Sequence, residues 1–210
     1  ASPARYAVAA NLRVARDLSR DASVYVAASR RSRFPSLREA YSGALGRFVP
    51  NPDLKPERQD QIEVGGAVVG DRWRLETAAF LGRLTDGIER IAVGEGRYQR
   101  VNRTEIDVPG LELIAAWQPR HDLEARLQHT VLDARVENDG EERAAEDRPL
   151  YLSRASVARR PLAGPGGLLE ARLTGPRWSA DTTADSGLRR LPAGATWHAR
   201  ASWRWEDAPA

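Results

Sequence analysis

The chain has 210 residues, 41% hydrophobic and 29% charged, with 32 basic against 29 acidic side chains. That length holds one large domain or two small ones, and apolar runs of only a few residues exclude the roughly 20-residue spans of a helical membrane protein. The absence of cysteine excludes disulfides, thiolate metal sites and cysteine nucleophiles.

Net charge is +3, and Lys55 is the only lysine among the basic residues. The arginines are scattered and nearly matched by acid, whereas a nucleic-acid binder gathers its basic residues into a stripe; no nucleic-acid partner is expected. The opening ASPARYAVAANLRV lacks the charged start and apolar core of a signal peptide. No methionine occurs anywhere, which reads as a piece of a longer chain.

The dominant pattern along the chain has period two, the signature of strands with unlike faces. In RYAVAANLRV the apolar face is Tyr6, Val8, Ala10, Leu12 and Val14. SVYVAAS and QIEVGGAVV follow as weaker copies. In WRLETAAFL, Trp73, Leu75, Ala79 and Leu81 alternate with Arg74 and Glu76. GLELIAAW precedes LEARLQHTV, where Leu123, Ala125, Leu127 and Val131 share a face with His129 as its one polar member. YLSRASVA and LLEARL lead to WHARASWRW, with Trp197, Ala199, Ala201, Trp203 and Trp205 against His198, Arg200, Ser202 and Arg204. These make about nine strands. The helical signal is confined to PSLREAY, residues 35–41.

The connections alternate in length. LSRD, GDR, QPRH and PLAGPGG are short turns built on Gly, Pro or Asp. Between them lie long polar links at residues 31–59, 86–101, 136–148 and 181–192. Short and long connections in alternation fit an up-and-down transmembrane barrel. Its strands turn apolar residues to lipid, polar ones to a lumen, and aromatics to the interfaces. Trp73, Trp117, Trp197, Trp203 and Trp205 sit beside short turns or near strand ends. A soluble β-sandwich gives the same alternation; faces rich in alanine and leucine with tryptophan at the ends favour the barrel.

The longest link, RRSRFPSLREAYSGALGRFVPNPDLKPERQDQIEVGG, carries a specific motif set. Arg33, Phe34, Pro35, Leu37, Glu39 and Tyr41 come first, then Asn51, Pro52, Leu54, Pro56 and Glu57, then Glu63, Val64 and Gly65. In this order and spacing the stretch resembles the TonB-dependent receptors, the plugged outer-membrane transporters of Gram-negative bacteria. FLGRLTDGIERI resembles the family's strand end followed by an aspartate-containing turn. YQRVNRTEIDVPGLEL, with Asn102, Gly110 and Glu112, resembles another of its strands.

The resemblance implies an all-β fold: an antiparallel up-and-down transmembrane β-barrel fragment of about nine strands, with short periplasmic turns and long extracellular loops. Residues 1–210 read as part of the C-terminal half of that barrel. The family's plug, its TonB-binding box and the usual last strands are not in the sequence, and EDAPA at residues 206–210 reads as a truncated turn. A family barrel has about 22 strands, so nine cannot close it or transport alone.

The implied function is energy-coupled uptake of a scarce, bulky ligand: an iron–siderophore foremost, otherwise haem, cobalamin or an oligosaccharide. The implied partners are outer-membrane lipid and, through the absent N-terminal region, TonB. No cofactor and no catalysis are implied. A soluble secreted β-sandwich or carbohydrate-binding module, a β-rich enzyme and a passive porin are the alternatives.

Pro56 lacks an N–H and belongs outside a ladder or at a strand's first residues, so NPDLKPE reads as a rigid strand starter at the barrel rim. Candidate ligand contacts are Arg33, Tyr41, Arg47, Phe48, Arg97 and Tyr98, arginines attracting an anionic chelate and aromatics packing on its rings. His121, His129 and His198 stand without metal-ligand spacing. GEGRYQR (residues 94–100) reads as a flexible loop and GPGG (164–167) as a turn. NDGEERAAED (138–147) lacks the ligand positions of an EF-hand.

Overall fold

The computed structural model describes residues 6–43, 46–138, 141–180 and 188–205. In chain order the elements are β1 (Ala10–Asp17), β2 (Ala22–Arg33), the helix α1 (Leu37–Tyr41), β3 (Phe48–Val49), β4 (Glu57–Gly70), β5 (Trp73–Gly94), β6 (Arg97–Arg120), β7 (Leu123–Leu132), β8 (Arg135–Asn138), β9 (Glu141–Ala144), β10 (Tyr151–Arg159), β11 (Gly164–Thr174), β12 (Arg177–Ala180), β13 (Leu188–Leu191) and β14 (Gly194–Arg204). Nine of them form one meander in the order β1-β2-β4-β5-β6-β7-β10-β11-β14, each antiparallel to its neighbours.

The ladder registers align the alternation read in each strand. One row runs Leu75–Ala115–Leu127–Ala155–Ala171–Trp197 across six strands. The neighbouring row on the opposite face includes Arg126–Ser156–Glu170–His198. Each strand alone is amphipathic, and pairing in register sums them into one apolar and one polar wall.

No second sheet covers the apolar wall among the described residues; the only other sheet is the β12–β13 pair. Buried apolar residues are few and small: Ala40, Leu54, Ala78, Ala134, Val136, Ala145 and Ala158. The accessible surface is 15028 Å², against about 9,700 Å² for a compact soluble protein of this mass. Trp73, Trp117, Trp197 and Trp203 are all exposed on that surface. This is a barrel wall and not half of a sandwich; it is open, with β1 and β14 as its outer strands.

His129 does lie on the apolar wall. Its Nδ1 is 2.7 Å from Ser153 Oγ on the facing strand, so the two polar groups satisfy each other. The polar wall is knitted by ion pairs. Glu170 is buried between Arg154 at 2.7 Å and Arg172 at 2.6 Å. Asp122 holds Arg120 and Arg159 beside a short turn, and Tyr25 donates to Glu63 at 2.5 Å.

Several links expected to be loops are strands. Residues 86–101 belong to a hairpin in which β5 and β6 pair up to Gly94 and Arg97, with register shifts at Leu84/Gly87, Gly87/Ile88 and Ala92/Gly94. Its turn places Glu95 and Gly96 at φ 50° and 69°, the left-handed pair that suits the twist of a two-residue hairpin. Asp86, at φ 56°, marks an irregularity inside β5 and not its end. Most of residues 136–148 form the β8–β9 hairpin, which packs Val136, Ala134 and Ala145 against Ile106, Val108 and Leu132 of the wall. GPGG opens β11 instead of forming a turn. Of the link at 181–192, residues 188–191 form β13, while 181–187 and the EDAPA end lie outside the described residues.

Two glycines are dictated by rings on the facing strand. A Cβ on Gly65 would come within 2.6 Å of the Tyr25 ring, and one on Gly110 would enter the Phe80 ring. Gly110→Val is therefore expected to destabilise the folded barrel by about 1–3 kcal/mol through overpacking. The double variant Gly110→Val with Phe80→Ala should recover part of that loss. The check is the temperature at which the protein in detergent loses its compact, heat-modifiable form; equal midpoints for wild type and Gly110→Val would show that the ring does not need the glycine.

Candidate functional site

The segment NPDLKPE lies where the long link between β2 and β4 meets the projecting β5–β6 hairpin. Asn51 begins it with three bonds: its N–H donates to the Ala40 carbonyl at 2.9 Å, its Nδ2 to the Arg100 carbonyl at 2.8 Å, and its Oδ1 accepts from Asp53 N at 3.1 Å. The last is the Asx turn that an Asn-Pro start favours. Leu54 is fully buried. Asn102, on the hairpin, grips Lys55 from both sides: its Oδ1 accepts from Lys55 N at 2.7 Å and its Nδ2 donates to the Lys55 carbonyl at 3.0 Å. The same Nδ2 donates to the Asp86 carbonyl at 2.7 Å, across the β5 irregularity.

Pro56 stands immediately before β4, where its missing N–H costs no ladder bond. Glu57 opens β4 and joins three elements. Its Oε1 accepts from Ile88 N at 2.8 Å and its Oε2 from Arg33 Nε at 2.6 Å. Arg33 also reaches Glu39 Oε2 at 2.9 Å. Glu39 is meanwhile the third residue of α1 and closes a capping box with Ser36, so one carboxylate caps the helix and pairs the rim arginine. Phe34 and Leu37 face outward. The Arg33 side chain first, with the Ser36 bonds adding to it, holds the Glu39 carboxyl down at about 2.

Further out, β3 adds to β6 in parallel, Phe48 opposite Tyr98. Tyr98 N donates to the Arg47 carbonyl at 2.8 Å, and the Phe48 and Tyr98 rings lie 6.0 Å apart. The structure thus brings Arg47, Phe48, Arg97 and Tyr98 together at the hairpin. Arg97 is engaged by Glu95 at 2.7 Å. Arg33 sits apart at the rim between its two carboxylates, and Tyr41 ends α1 on the loop. Glu63 and Glu112 lie on the polar wall, Glu63 bonded to Tyr25 and Gln61. Two residues not among the candidate ligand contacts join the hairpin group: Arg90, 4.7 Å from the Tyr98 ring centroid, and Arg100, 4.6 Å from that of Phe48. No motif spacing marks them, because β3 reaches them only through the fold.

The family of "TonB dependent receptor-like, beta-barrel" proteins matches residues 5–208, nearly the whole chain. The chain belongs to this TonB-dependent receptor family. As a receptor barrel it lies in the outer membrane of a Gram-negative bacterium, its apolar wall against lipid. The short turns then lie on the periplasmic side and the hairpin with its clasp on the extracellular side.

Solved receptors share the fold. The copper transporter OprC superposes with a TM-score of 0.73 at 19% identity, over 93% of this chain and 31% of that one. The ferric yersiniabactin uptake receptor FyuA from Yersinia pestis gives 0.69 at 18%, over 92% and 29%. The ferric enterobactin receptor PfeA from Pseudomonas aeruginosa gives 0.70 at 16%, over 92% and 32%. The receptor chain described here thus spans less than a third of the length of these structures. No curated protein matches it.

Truncating the clasp of this receptor should loosen the extracellular loop while leaving the wall folded. Leu54→Ala is expected to cost about 2–5 kcal/mol locally, and Asn102→Ala about 1–3 kcal/mol through the Lys55 and Asp86 groups it strands. Both should speed protease cleavage within residues 34–56 of the folded barrel; unchanged cleavage would show that the loop is held elsewhere.

The Glu39 contribution depends on pH in one direction. Its folded-state pKa of about 2 lies below the ordinary 4.5, so the stabilisation is complete above about pH 4.5 and is lost as the pH falls toward 2. Because Arg33 is half exposed, the contribution is about 1 kcal/mol. With an acid-active protease, Glu39→Gln should be cleaved in the loop faster than the wild type at about pH 4.5, and the difference should shrink as the pH falls toward about 2; equal rates at the higher pH would refute the coupling.

Proposed function

We propose that this barrel wall is part of a receptor that takes up a scarce, bulky ligand across the outer membrane with energy delivered through TonB, and that the ligand is a metal chelate, foremost an iron–siderophore. Residues 1–210 contribute one stretch of the barrel and no plug. The family match over residues 5–208 carries the uptake reading. The long extracellular hairpin, rich in arginine and aromatic side chains, supports an anionic chelate as its ligand. Arg97 and Tyr98 on it, with Arg47 and Phe48 at the β3 strand paired to it, stand nearest a place where a ligand could dock, with Tyr41 at the end of α1; Arg33 serves the rim.

Related TonB-dependent receptors are transporters and not enzymes, and moving a ligand through a barrel breaks no bond in it. A second ligand reading has one observation behind it: OprC is a copper transporter, so the chelated metal is open to test.

The experiment compares accumulation of radiolabelled iron, offered as ferric citrate and as a ferric tris-catecholate, in cells with and without the whole gene, before and after the proton gradient is collapsed. We expect gene-dependent accumulation of at least one chelate that stops with the gradient. Accumulation that persists without the gradient would mean a passive porin. Absence of gene-dependent iron uptake, with gene-dependent copper uptake in its place, would move the ligand to copper.

A further inference from the structure

The lipid-facing wall ends in charge. Across β2, β4, β5 and β6, Arg30 is opposite Asp60, Asp60 opposite Arg83 and Arg83 opposite Asp107. Directly opposed residues share a face. On every strand this row follows Ala28–Ile62–Leu81–Pro109 by two positions, so it stands on the apolar side of the sheet and not in the lumen. Arg58, two residues before Asp60 on β4, shares that face.

The strands set the height of the row. Ten residues separate Trp73 from Arg83 on β5, and ten separate Asp107 from Trp117 on β6. Between Trp73 and Arg83 the wall face of β5 carries Leu75, Thr77, Ala79 and Leu81 and no charge. At about 3.3 Å per residue and a tilt of about 40°, that interval spans about 25 Å of bilayer, the height of the apolar band of an outer-membrane barrel. The Trp73–Trp117 pair then lies at the periplasmic interface and the charged row at the headgroups of the outer leaflet.

The β2–β5 part of the row is basic. Asp60 accepts from Arg30 at 2.6 and 3.1 Å and pairs with Arg58 at 3.1 Å; Arg83, opposite it, donates twice to Asp107 at 2.6 Å. Three guanidiniums thus share two carboxylates. Arg30 and Arg83 each engage Nε and Nη2 in this way, and among the described residues Nη1 of neither makes a hydrogen bond. Glu105 and Glu137, opposite each other on β6 and β8, stand two positions further out, so the positive excess belongs to β2, β4 and β5. Ion pairs this exposed contribute little to stability. Planar cations with unused donors at headgroup level suit a phosphate.

We propose that Arg30, Arg58 and Arg83 form a docking surface for the phosphate of an anionic outer-leaflet lipid, with Asp60 and Asp107 holding the guanidiniums in place. The acyl chains of that lipid run down the apolar wall toward Trp73 and Trp117. This surface depends on the outer-membrane placement of the wall and not on which ligand is taken up.

The test uses the receptor encoded by the whole gene, purified in detergent, with bisphosphorylated lipid A as the probe and native mass spectrometry reading the bound lipid. Wild type is expected to bind it about tenfold more tightly than the same lipid stripped of its phosphates. The triple variant Arg30→Gln, Arg58→Gln, Arg83→Gln should lose that difference, and the corresponding triple lysine variant should keep part of it. Arg20→Gln, in the periplasmic β1–β2 turn, should leave it unchanged. Heat-modifiability confirms that each variant is folded; should the triple variant fail, Arg58→Gln alone, which leaves Asp60 paired with Arg30, should still lower the phosphate-dependent affinity several-fold. Equal binding of the two lipids by wild type overturns the site, as does a phosphate preference that the arginine variants retain in full. Displacement of the lipid by inorganic phosphate at matched concentration would mean an adventitious ion only and overturns it too.

Discussion

A backbone placed in hydrocarbon has no water to satisfy it, and the rest of this structure follows from that constraint. Nine strands answer it by pairing edge to edge in one antiparallel meander. The registers then decide everything about the two faces. Because successive side chains point to opposite sides, a shift of one residue in any ladder would carry its arginines into lipid and its leucines into the lumen. The aligned row from Leu75 to Trp197, with the Arg126–Glu170 row on the other face, shows that every ladder between them holds the same phase.

Charge on the polar wall obeys a related rule. Burying an ion is costly unless it is paired, and Glu170, the most deeply buried carboxylate, has two arginine partners. Asp122 and Glu124 each hold two arginines as well. Individually exposed pairs contribute little. As a set they tie adjacent strands across the face where no apolar core exists, and they account for the near balance of acid and base in the composition.

Outside the bilayer the constraint relaxes and the chain does something different. The β5–β6 hairpin outruns its neighbours, and a two-stranded ribbon alone is marginal. The clasp supplies what the sheet no longer gives: a buried Leu54, an Asn102 that satisfies backbone groups of both Lys55 and Asp86, and a Glu57 shared between β2 and β5. A stiff, proline-bounded segment suits this role because little entropy is lost in fixing it. Support for the loop and presentation of its arginines and rings are therefore one construction.

The wall was legible in the sequence. Alternation in WRLETAAFL, LEARLQHTV and WHARASWRW gave the strands and their faces, because the period of two is a local property of an extended backbone. The spacing of Asn51, Pro52, Leu54, Pro56 and Glu57 marked the rim for the same reason: turn chemistry is local. The loops were misjudged where polarity was taken for irregularity. Residues 86–101 and most of 136–148 are paired strands; they lack a long run of strict alternation, and the apolar contact of Val136, Ala134 and Ala145 with Ile106, Val108 and Leu132 exists only once β8 packs on the wall. Only the tertiary structure could decide which partners the motif residues take, that Asn102 reaches Lys55, that Phe48 meets Tyr98, and that Arg90 and Arg100 are cross-strand partners. The first two contacts join residues about fifty positions apart and the third follows from the register of one hairpin; no local spacing encodes them, because the ladders bring the strands into register.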